Sequence, residues 1–332
     1  GLYGDPSDPY GPYARASSSS SRYKSSNFSV FGNLDYLLSA SLKFSIGLRW
    51  EDWEADYSDS LNELFNPADK MSGGKISLIK SMTNGTNIYA SLAKGYKQGG
   101  FNLGLGLDAN STNQNLAYDP EFLTNYELGI NTKLLDSKIN FNGVIFYSYR
   151  EDQQVLISTQ TDPSDPNTFS FLTQNAAEGV NHGLEINMDI DIRESLSAFL
   201  NLGMLKTEIK NWQSRQDLEG RAQAHAPEKS YALGLNWAPT SDTYLAIDFT
   251  GKSSFYYSDS HNNKSKSYVL TNLNLGYVKN NWSYELWARN VFDEYYSVRG
   301  FYFGNEAPNF IDTLYERHGD PRNIGFSIRY DF

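Results

Sequence analysis

The strongest constraint on the fold is the strict alternation of apolar and polar residues at the end of the chain. From Ile324 to Phe332 every second residue is apolar, and those between them are small, polar or charged. Side chains of a strand point to alternate faces, so this period of two predicts a strand with one apolar and one polar face. Such a strand, with one face for lipid and one for water, is the unit of a transmembrane barrel.

The same alternation recurs from about residue 25 onwards and predicts thirteen strands. Many of these segments run for about 12 to 20 residues, whereas ordinary sheets use strands of roughly 5–6 residues. A tilted strand needs about 9–11 residues to cross the hydrocarbon of a membrane. The predicted strands cover residues 25–36, 40–57, 70–81, 86–98, 120–135, 138–158, 168–192, 194–212, 227–239, 242–260, 264–280, 281–296 and 320–332.

The connections between the predicted strands alternate in length. Short turns are expected near residues 37–39, 83–85, 136–137, 193–194, 239–242 and 279–281. Longer links are expected near residues 58–69, 99–119, 159–167, 213–226, 261–264 and 297–319. Short turns on one side and long loops on the other are typical of an outer-membrane barrel, in which the turns face the periplasm. A soluble meander with uneven loops is the alternative interpretation.

Composition excludes several other classes of protein. Hydrophobic residues make up 39% of the chain and aromatic residues 15%, with 24 tyrosines, and we find no apolar run of the roughly 18 residues that a membrane helix needs. Aromatic girdles at the two membrane interfaces would use this many aromatic residues. The net charge of −11 argues against nucleic acid as a partner, and the lack of cysteine excludes disulfides and thiolate metal sites.

Several segments resemble the C-terminal part of the barrel of a TonB-dependent outer-membrane receptor. Residues 89–102, YASLAKGYKQGGFN, look like the strand and loop that this family shows at the corresponding point. Six further segments match in order, namely residues 120–121 with 126–129, 146–147 with 152–153, 175–177 with 183–185, 226–227, 290–296, and 321–322 with the terminal Phe332. Each match is weak alone, but their order and spacing are specific.

The resemblance implies an all-β, antiparallel transmembrane β-barrel. The family's barrel has 22 strands, so this chain is expected to supply about thirteen C-terminal strands, with the N-terminal plug and the first strands absent from it. Residues 1–24 are rich in Gly, Pro, Ser and Asp and are predicted to be a flexible extracellular loop segment, followed by the barrel over residues 25–332. We expect the missing strands on another fragment of a nicked, split or renumbered receptor.

The sequence offers no constellation of catalytic residues, so we do not expect an enzyme. None of the four histidines has the spacing of a metal site with an acidic partner, and no metal or cofactor is predicted. The motif DPSDP occurs at residues 5–9 and again at residues 162–166. Asp-Pro favours turns, and cation binding by these two loops is the alternative.

Substrate-binding residues are expected in the long loops, where Tyr, Phe and Trp rings and Arg and Lys side chains would suit an anionic, aromatic metal chelate. The last loop, residues 297–319, is the richest in such residues. The alternative for any one of them is packing between loops or contact with lipopolysaccharide. The candidate residues are Tyr96, Lys97, Phe101, Trp212, Arg215, Tyr256, Tyr257, Arg299, Tyr302, Phe303, Tyr315 and Arg317.

The resemblance implies active transport of a bulky, scarce nutrient across the outer membrane of a Gram-negative bacterium, with a ferric siderophore as the expected ligand. The expected partners are outer-membrane lipid and lipopolysaccharide, the missing plug and first strands, and the TonB complex acting through the missing part. Cobalamin, haem or a glycan are alternative ligands. A passive porin or adhesin-type barrel is an alternative function, and a soluble β-sandwich binding module is a third.

Overall fold

The computed structural model describes residues 20–60, 64–102, 117–160, 169–212, 215–306 and 308–332. Its strands, in chain order, are β1 (Ser21–Ser39), β2 (Leu42–Asp59), β3 (Leu64–Phe65), β4 (Ala68–Ser81), β5 (Asn87–Lys97), β6 (Gly100–Phe101), β7 (Ala117–Tyr118), β8 (Glu121–Leu134), β9 (Ile139–Gln160), β10 (Phe169–Arg193), β11 (Leu196–Asn211), β12 (Lys229–Thr240), β13 (Thr243–Lys252), β14 (Tyr268–Lys279), β15 (Trp282–Arg289), β16 (Ser297–Phe303), β17 (Thr313–His318) and β18 (Asn323–Tyr330).

One antiparallel sheet contains all the long strands in sequence order. Its hydrogen-bonded path runs β1-β2-β4-β5-β8-β9-β10-β11-β12-β13-β14-β15-β18, and β3 pairs with β2 off this path. These thirteen strands are the thirteen predicted from the alternation, so the fold class is confirmed. Among the described residues the two edges, β1 and β18, are not paired with each other. The same part of the chain contains no helix that is long and apolar enough to cross a membrane.

The two faces of the sheet differ as the alternation predicts. On the apolar face, Ile324 and Phe326 of β18 are 65% and 61% exposed. On the other face, Asn272 of β14 donates a hydrogen bond from Nδ2 to Asp248 Oδ2 of β13 at 2.8 Å. A continuous exposed apolar face backed by a hydrogen-bonded polar face is the arrangement of a wall between lipid and a wet lumen.

Short turns join the strands at one end of the sheet, in agreement with the predicted pattern. Residues 40–41 join β1 to β2, and residues 280–281 join β14 to β15. In the latter turn Asn280 has a φ of 53°, a left-handed conformation that asparagine tolerates better than most residues. The longer connections lie at the other end, so the predicted alternation of turn and loop lengths is confirmed.

Several elements differ from the prediction. β13 ends at Lys252 rather than near residue 260, because Phe255 and Tyr257 leave the sheet and pack with Tyr268 in a buried cluster. β15 ends at Arg289 rather than near residue 296, and residues 297–319, predicted as a loop, contain the β16–β17 hairpin.

The early end of β15 has a local cause. Asn290 has a φ of 48°, and its side chain binds the backbone of Glu294 and Asp320. These bonds turn the chain out of the sheet. At the other end of the chain β1 begins at Ser21, inside the segment predicted as a loop, and residues 1–19 lie outside the described residues.

Candidate functional site

The β16–β17 hairpin presents two arginines side by side at the loop end of the sheet. Arg299 and Arg317 are paired across the hairpin, and both are exposed. Among the described residues neither guanidinium lies within ion-pair distance of a carboxylate, as the ion pairs of this region involve other residues. Like charges directly opposite each other are unfavourable in a sheet. The two exposed guanidinium groups are therefore available for contact with an anion.

Aromatic rings accompany the arginine pair on the same face of the hairpin. Phe301 is paired with Tyr315, and Phe303 follows at a ring-centroid distance of 5.3 Å from Tyr315. The Arg299 guanidinium lies 5.1 Å from the Phe301 ring centroid, and Phe301 is 45% exposed. Guanidinium groups and aromatic faces together favour a ligand that is both anionic and aromatic. We call Arg299, Phe301, Phe303, Tyr315 and Arg317 the hairpin face.

The opposite face of the hairpin is attached to residues 253–267. Tyr257 is 3% exposed and donates a hydrogen bond to the Glu316 carboxylate. A side chain at Gly300 would collide with the Tyr257 ring, whose Cδ2 lies 2.3 Å from the position of a Cβ atom. The Tyr302 ring lies 5.7 Å from that of His261. These contacts fix the hairpin so that its arginine-bearing face points away from the segment beneath it.

The attachment changes the proton affinities of the groups that it buries. Burial, followed by the hydrogen bond to Glu316, raises the pKa of Tyr257 to about 12. That hydrogen bond is the main reason why the pKa of Glu316 is lowered. Burial lowers the pKa of His225 and that of His261 below 6.5, and Arg299 and Arg221 respectively lower them further. Both histidines are therefore neutral at pH 7.

Arg221 joins two of the loops beneath the hairpin, and the sequence analysis did not identify it. Its guanidinium donates to the backbone oxygens of Ser258 and His261 at 3.1 and 2.9 Å. It also forms an ion pair with Asp259 at 2.9 Å. The Tyr256 ring is contacted by Arg221 at 4.3 Å and by Lys264 at 4.1 Å. Tyr256, a predicted site residue, is therefore already engaged by two cations.

Two other predicted residues support the loop that follows β11. Trp212 is 1% exposed and packs with Val155, Ile209 and Leu218, so its indole ring has no surface for a ligand. Arg215 makes two hydrogen bonds of 2.9 Å to the carboxylate of Asp217. A buried tryptophan and a paired arginine anchor the loop that carries Arg221. Sequence alone could not distinguish these roles from ligand contact.

Tyr96 belongs to a separate network on the polar face. Its hydroxyl donates to Glu51 Oε2 at 2.8 Å and accepts from Arg49 Nε at 3.0 Å, while Arg49 also pairs with Glu51. These side chains line a concavity of about 580 Å³ that Phe31 and Lys75 also border. Arg49 and Glu51 share a face of β2 because they are two residues apart, but their partnership with Tyr96 depends on pairing across three strands.

Lys97 and Phe101 complete the predicted set. Lys97 is exposed at the end of β5. The Phe101 ring lies 5.1 Å from that of Tyr57 and is stacked on Phe65 at 5.7 Å. Five strands, β8 to β12, lie between β5 and β13, so these residues are roughly 29 Å along the sheet from the loop after β13. The twelve predicted residues therefore form two groups rather than one.

The described part of the chain contains no group of three or more His, Asp or Glu side chains that could hold a metal ion. The DPSDP motif at residues 5–9 and its second copy at residues 162–166 lie outside the described residues, and cation binding there stays a prediction. The site chemistry that the structure offers is recognition of an anion by guanidinium groups and aromatic rings.

Comparison with known proteins identifies similar sequences and folds. Residues 1–291 match the family described as TonB dependent receptor-like, beta-barrel. The chain is 23% identical to the pesticin receptor of Yersinia pestis over 78% of this chain and 36% of that protein. It is 28% identical to the probable TonB-dependent siderophore receptor PiuA of Acinetobacter baumannii over 46% of this chain and 20% of that protein.

The fold matches a solved structure over nearly the whole chain. The crystal structure of the ferric yersiniabactin uptake receptor FyuA from Yersinia pestis superposes with a TM-score of 0.76 at 17% identity, covering 95% of this chain and 47% of that one. The chain thus spans about half of that structure and about a third or less of the two relatives.

Proposed function

Since the chain belongs to the TonB-dependent receptor β-barrel family, we propose that it forms part of the barrel of a transporter that takes up a ferric siderophore. The protein is located in the outer membrane of a Gram-negative bacterium, as members of this family are. Uptake across that membrane is active and depends on TonB, which would act through a part of the receptor outside this chain. The chain itself supplies wall, loops and part of the binding mouth.

The composition of the hairpin face is the main support for a ferric siderophore as the ligand. A ferric siderophore is a bulky chelate, often anionic and often aromatic, and the paired arginines and three aromatic rings match that chemistry. The relatives named as siderophore and ferric yersiniabactin receptors support the same class of ligand. We propose Arg299, Phe301, Phe303, Tyr315 and Arg317 as ligand contacts, and we propose that Tyr302, on the opposite face against His261, helps to hold the hairpin in place.

The remaining predicted site residues receive different proposed roles. Tyr96 belongs to the network on the polar face of another part of the wall, and we propose that it contacts the ligand after the ligand has entered the mouth. We propose that Lys97, exposed at the loop end of β5, contacts the ligand at the mouth itself. Tyr256 and Tyr257 hold the hairpin in place through Arg221 and Glu316. Trp212 and Arg215 stabilise the neighbouring loop.

The test of this function uses the full-length receptor in an iron-starved host that lacks its own siderophore receptors. Cells would be given a ⁵⁵Fe-labelled tricatecholate, trihydroxamate or phenolate chelate in turn. We expect saturable uptake of one chelate, abolished by deletion of tonB. Uptake of cobalamin or haem with no uptake of any iron chelate would overturn the siderophore assignment and retain the transporter class.

A passive porin is the alternative that the sequence left open. Liposomes containing the purified full-length receptor separate the two functions. We expect low conductance, because a receptor of this family is closed by its plug, whereas a porin conducts steadily through an open lumen. Steady high conductance together with TonB-independent uptake would contradict the proposal.

A further inference from the structure

Residues 290–322 connect β15 to β18 and carry the hairpin face, and a single side chain joins the two ends of this connection. Asn290 donates from Nδ2 to the backbone oxygen of Glu294 at 3.0 Å and to that of Asp320 at 3.1 Å. Its Oδ1 accepts a hydrogen bond from the backbone N–H of Glu294 at 2.8 Å. Glu294 precedes β16 and Asp320 follows β17, so we call the Asn290 amide and these two loop ends the loop clamp.

The clamp needs two properties that asparagine combines. A primary amide has two N–H donors and one carbonyl acceptor, and here both donors and the acceptor are engaged. The φ of 48° at Asn290 is left-handed, a conformation that asparagine tolerates better than most residues. Asn290 is only 5% exposed, so its side chain is too buried to contact a ligand. The residue can therefore act on a ligand only through the loop that it holds.

The clamp is anchored in the wall of the sheet. The backbone N–H of Asn290 donates to Asn272 Oδ1 at 3.1 Å, and Asn272 Nδ2 in turn donates to Asp248 Oδ2 at 2.8 Å. The next residue, Val291, donates its N–H to the backbone oxygen of Thr271 at 2.9 Å. The loop clamp is thus fixed to β13 and β14, which are rigid parts of the main sheet.

The hydrogen-bonded ladder of the hairpin begins next to the clamp. The backbone N–H of Gly319 donates to the oxygen of Tyr296 at 2.9 Å, and Ser297 is paired with His318 in the following position. From there the ladder of β16 and β17 leads to the arginine pair. Contacts with residues 253–267 hold one face of the hairpin, whereas the clamp determines where the hairpin leaves the wall.

We propose that Asn290 is a positioning residue for ligand binding, because its amide sets the place at which the hairpin face stands. A hairpin that occupies the binding position for only a fraction of the time raises the apparent Kd by the inverse of that fraction. Loss of the clamp therefore weakens binding without removing any ligand contact. The effect on binding rests on the proposed function, whereas the position of the hairpin does not depend on which chelate is transported.

Three variants of the full-length receptor separate the clamp from the backbone turn. Asn290→Gly keeps the left-handed backbone and removes all three side-chain hydrogen bonds. Asn290→Asp keeps the acceptor and removes both donors. Asn280→Gly is the matched control, since Asn280 has a φ of 53° in the turn between β14 and β15, at the opposite end of the sheet.

The position of the hairpin is measured as the distance distribution between two spin labels, by pulsed electron paramagnetic resonance. The labels are attached to introduced cysteines, Thr313→Cys on β17 and Lys252→Cys at the end of β13, and both positions are exposed. We expect one narrow distribution in the unmodified receptor and in Asn280→Gly. Both Asn290 variants should give a broadened or shifted distribution.

The same variants are then titrated with the transported chelate. We expect the Kd to rise about tenfold in Asn290→Gly and in Asn290→Asp, which corresponds to a hairpin in the binding position about a tenth of the time. The amount of chelate bound at saturation should stay the same, because a folding defect lowers capacity whereas a misplaced hairpin lowers affinity. Asn280→Gly should bind as the unmodified receptor does.

Unchanged distance distributions in both Asn290 variants would overturn the proposal. So would broadened distributions with an unchanged Kd, since the position of the hairpin would then not govern binding. A receptor that binds no iron chelate contradicts the proposed function instead, and the distance measurement then decides the role of Asn290. If Asn290→Gly does not fold, Asn290→Asp and Gly319→Ala decide the question. Gly319→Ala should broaden the distribution by displacing the same loop end, because its Cβ would lie 2.0 Å from the Tyr296 ring.

Discussion

At the scale of single residues, the paired arginines of the hairpin are the feature with the clearest functional consequence. Arg299 and Arg317 lie side by side across the hairpin, and among the described residues no carboxylate is within ion-pair distance of either, so a bound anion would reduce their mutual repulsion. The rings of Phe301 and Tyr315 add contact area to the same face. The sequence predicts both arginines as site residues, but only the strand pairing places them side by side.

Replacing either arginine should weaken ligand binding. We expect Arg299→Ala and Arg317→Ala each to raise the Kd for the transported chelate about 10- to 100-fold, because each removes a charge-assisted contact worth about 1.5–3 kcal/mol. Fluorescence titration of the full-length receptor with the chelate measures this. Arg329→Ala, at the turn end of the sheet where Arg329 pairs with Asp331, is the control and should bind normally. Unchanged affinity in both hairpin variants would remove the hairpin face from the binding site.

The hydroxyl of Tyr257 should stabilise the attachment of the hairpin and should contribute much less to ligand binding. We expect Tyr257→Phe to lower the local stability of the β16–β17 hairpin by about 1–2 kcal/mol, since it leaves the Glu316 carboxylate without its buried donor. Hydrogen exchange of residues 297–318 should then accelerate, while the strands of the main sheet remain protected. Equal protection in the variant would show that the hydrogen bond does not hold the hairpin.

At the scale of elements, glycines in different strands have opposite roles that the sequence alone cannot distinguish. A Cβ at Gly276 of β14 would lie 2.0 Å from the Tyr244 ring of β13, whereas a Cβ at Gly32 of β1 would meet nothing within 4 Å. The first glycine provides space for a cross-strand ring. The second is an open position where a larger side chain gains strand propensity.

The two glycines therefore predict substitutions of opposite sign. Gly276→Val should destabilise the barrel by about 1–3 kcal/mol because the Tyr244 ring must leave its place. Gly32→Val should be neutral or slightly stabilising. Thermal unfolding of the full-length receptor in detergent compares the two variants. A Tm for Gly276→Val equal to that of the unmodified receptor would show that the ring moves without cost.

The loop of residues 253–267, to which His225 is bound through its backbone N–H to Tyr256 O, should loosen on acidification. His225 and His261 have pKa values below the 6.5 of an unfolded histidine, so the unfolded segment binds more protons than the folded one as pH falls below 6.5. Their contribution to stability is thus complete above pH 6.5 and decreases below it, down to their lowered pKa values. Arg299, Arg221 and Asp259 are the charges that act on the two rings.

Hydrogen exchange of residues 253–267 at pH 7.5 and pH 5.5 measures this loosening, after correction for the intrinsic pH dependence of exchange. We expect lower protection at pH 5.5. A double variant, His225→Gln with His261→Gln, should lose the pH dependence. Protection that is equal at the two pH values in the unmodified receptor would contradict the argument.

At the scale of the whole molecule, the sheet formed by the described residues has two edges that are not paired with another strand. β1 and β18 end the hydrogen-bonded path, and each edge exposes backbone donors and acceptors. An unsatisfied backbone group in hydrocarbon costs several kcal/mol. The sheet therefore requires further strands that pair with its two edges if it is to be stable in a membrane. A closed barrel does not have this cost, because its first and last strands pair with each other.

The 332-residue chain produced alone should therefore self-associate. We expect heterogeneous oligomers in detergent and no compact band that shifts on heating in gel electrophoresis. The full-length receptor, run beside it, should give the heat-sensitive band of a closed barrel. A monodisperse, heat-shifting monomer from this chain alone would show that β1 and β18 can close on each other.

The sequence by itself determined the strands, their order, the two faces and the family, which the match over residues 1–291 confirms. The alternation seen from Ile324 to Phe332 was sufficient to predict the strands and their faces, because the period of two is a property of each single strand and does not depend on which strand it pairs with. For the same reason the short turns were found near their actual positions.

Only the tertiary structure decided which residues act together. It divided the predicted site residues into the hairpin face, the Tyr96 network and buried supports such as Trp212. It also identified Arg221 as the residue that joins two loops beneath the hairpin. Phe255 and Tyr257 resembled a continued strand, yet they leave the sheet to pack beneath the hairpin. Contacts of this kind join residues far apart in sequence, so local periodicity carries no information about them.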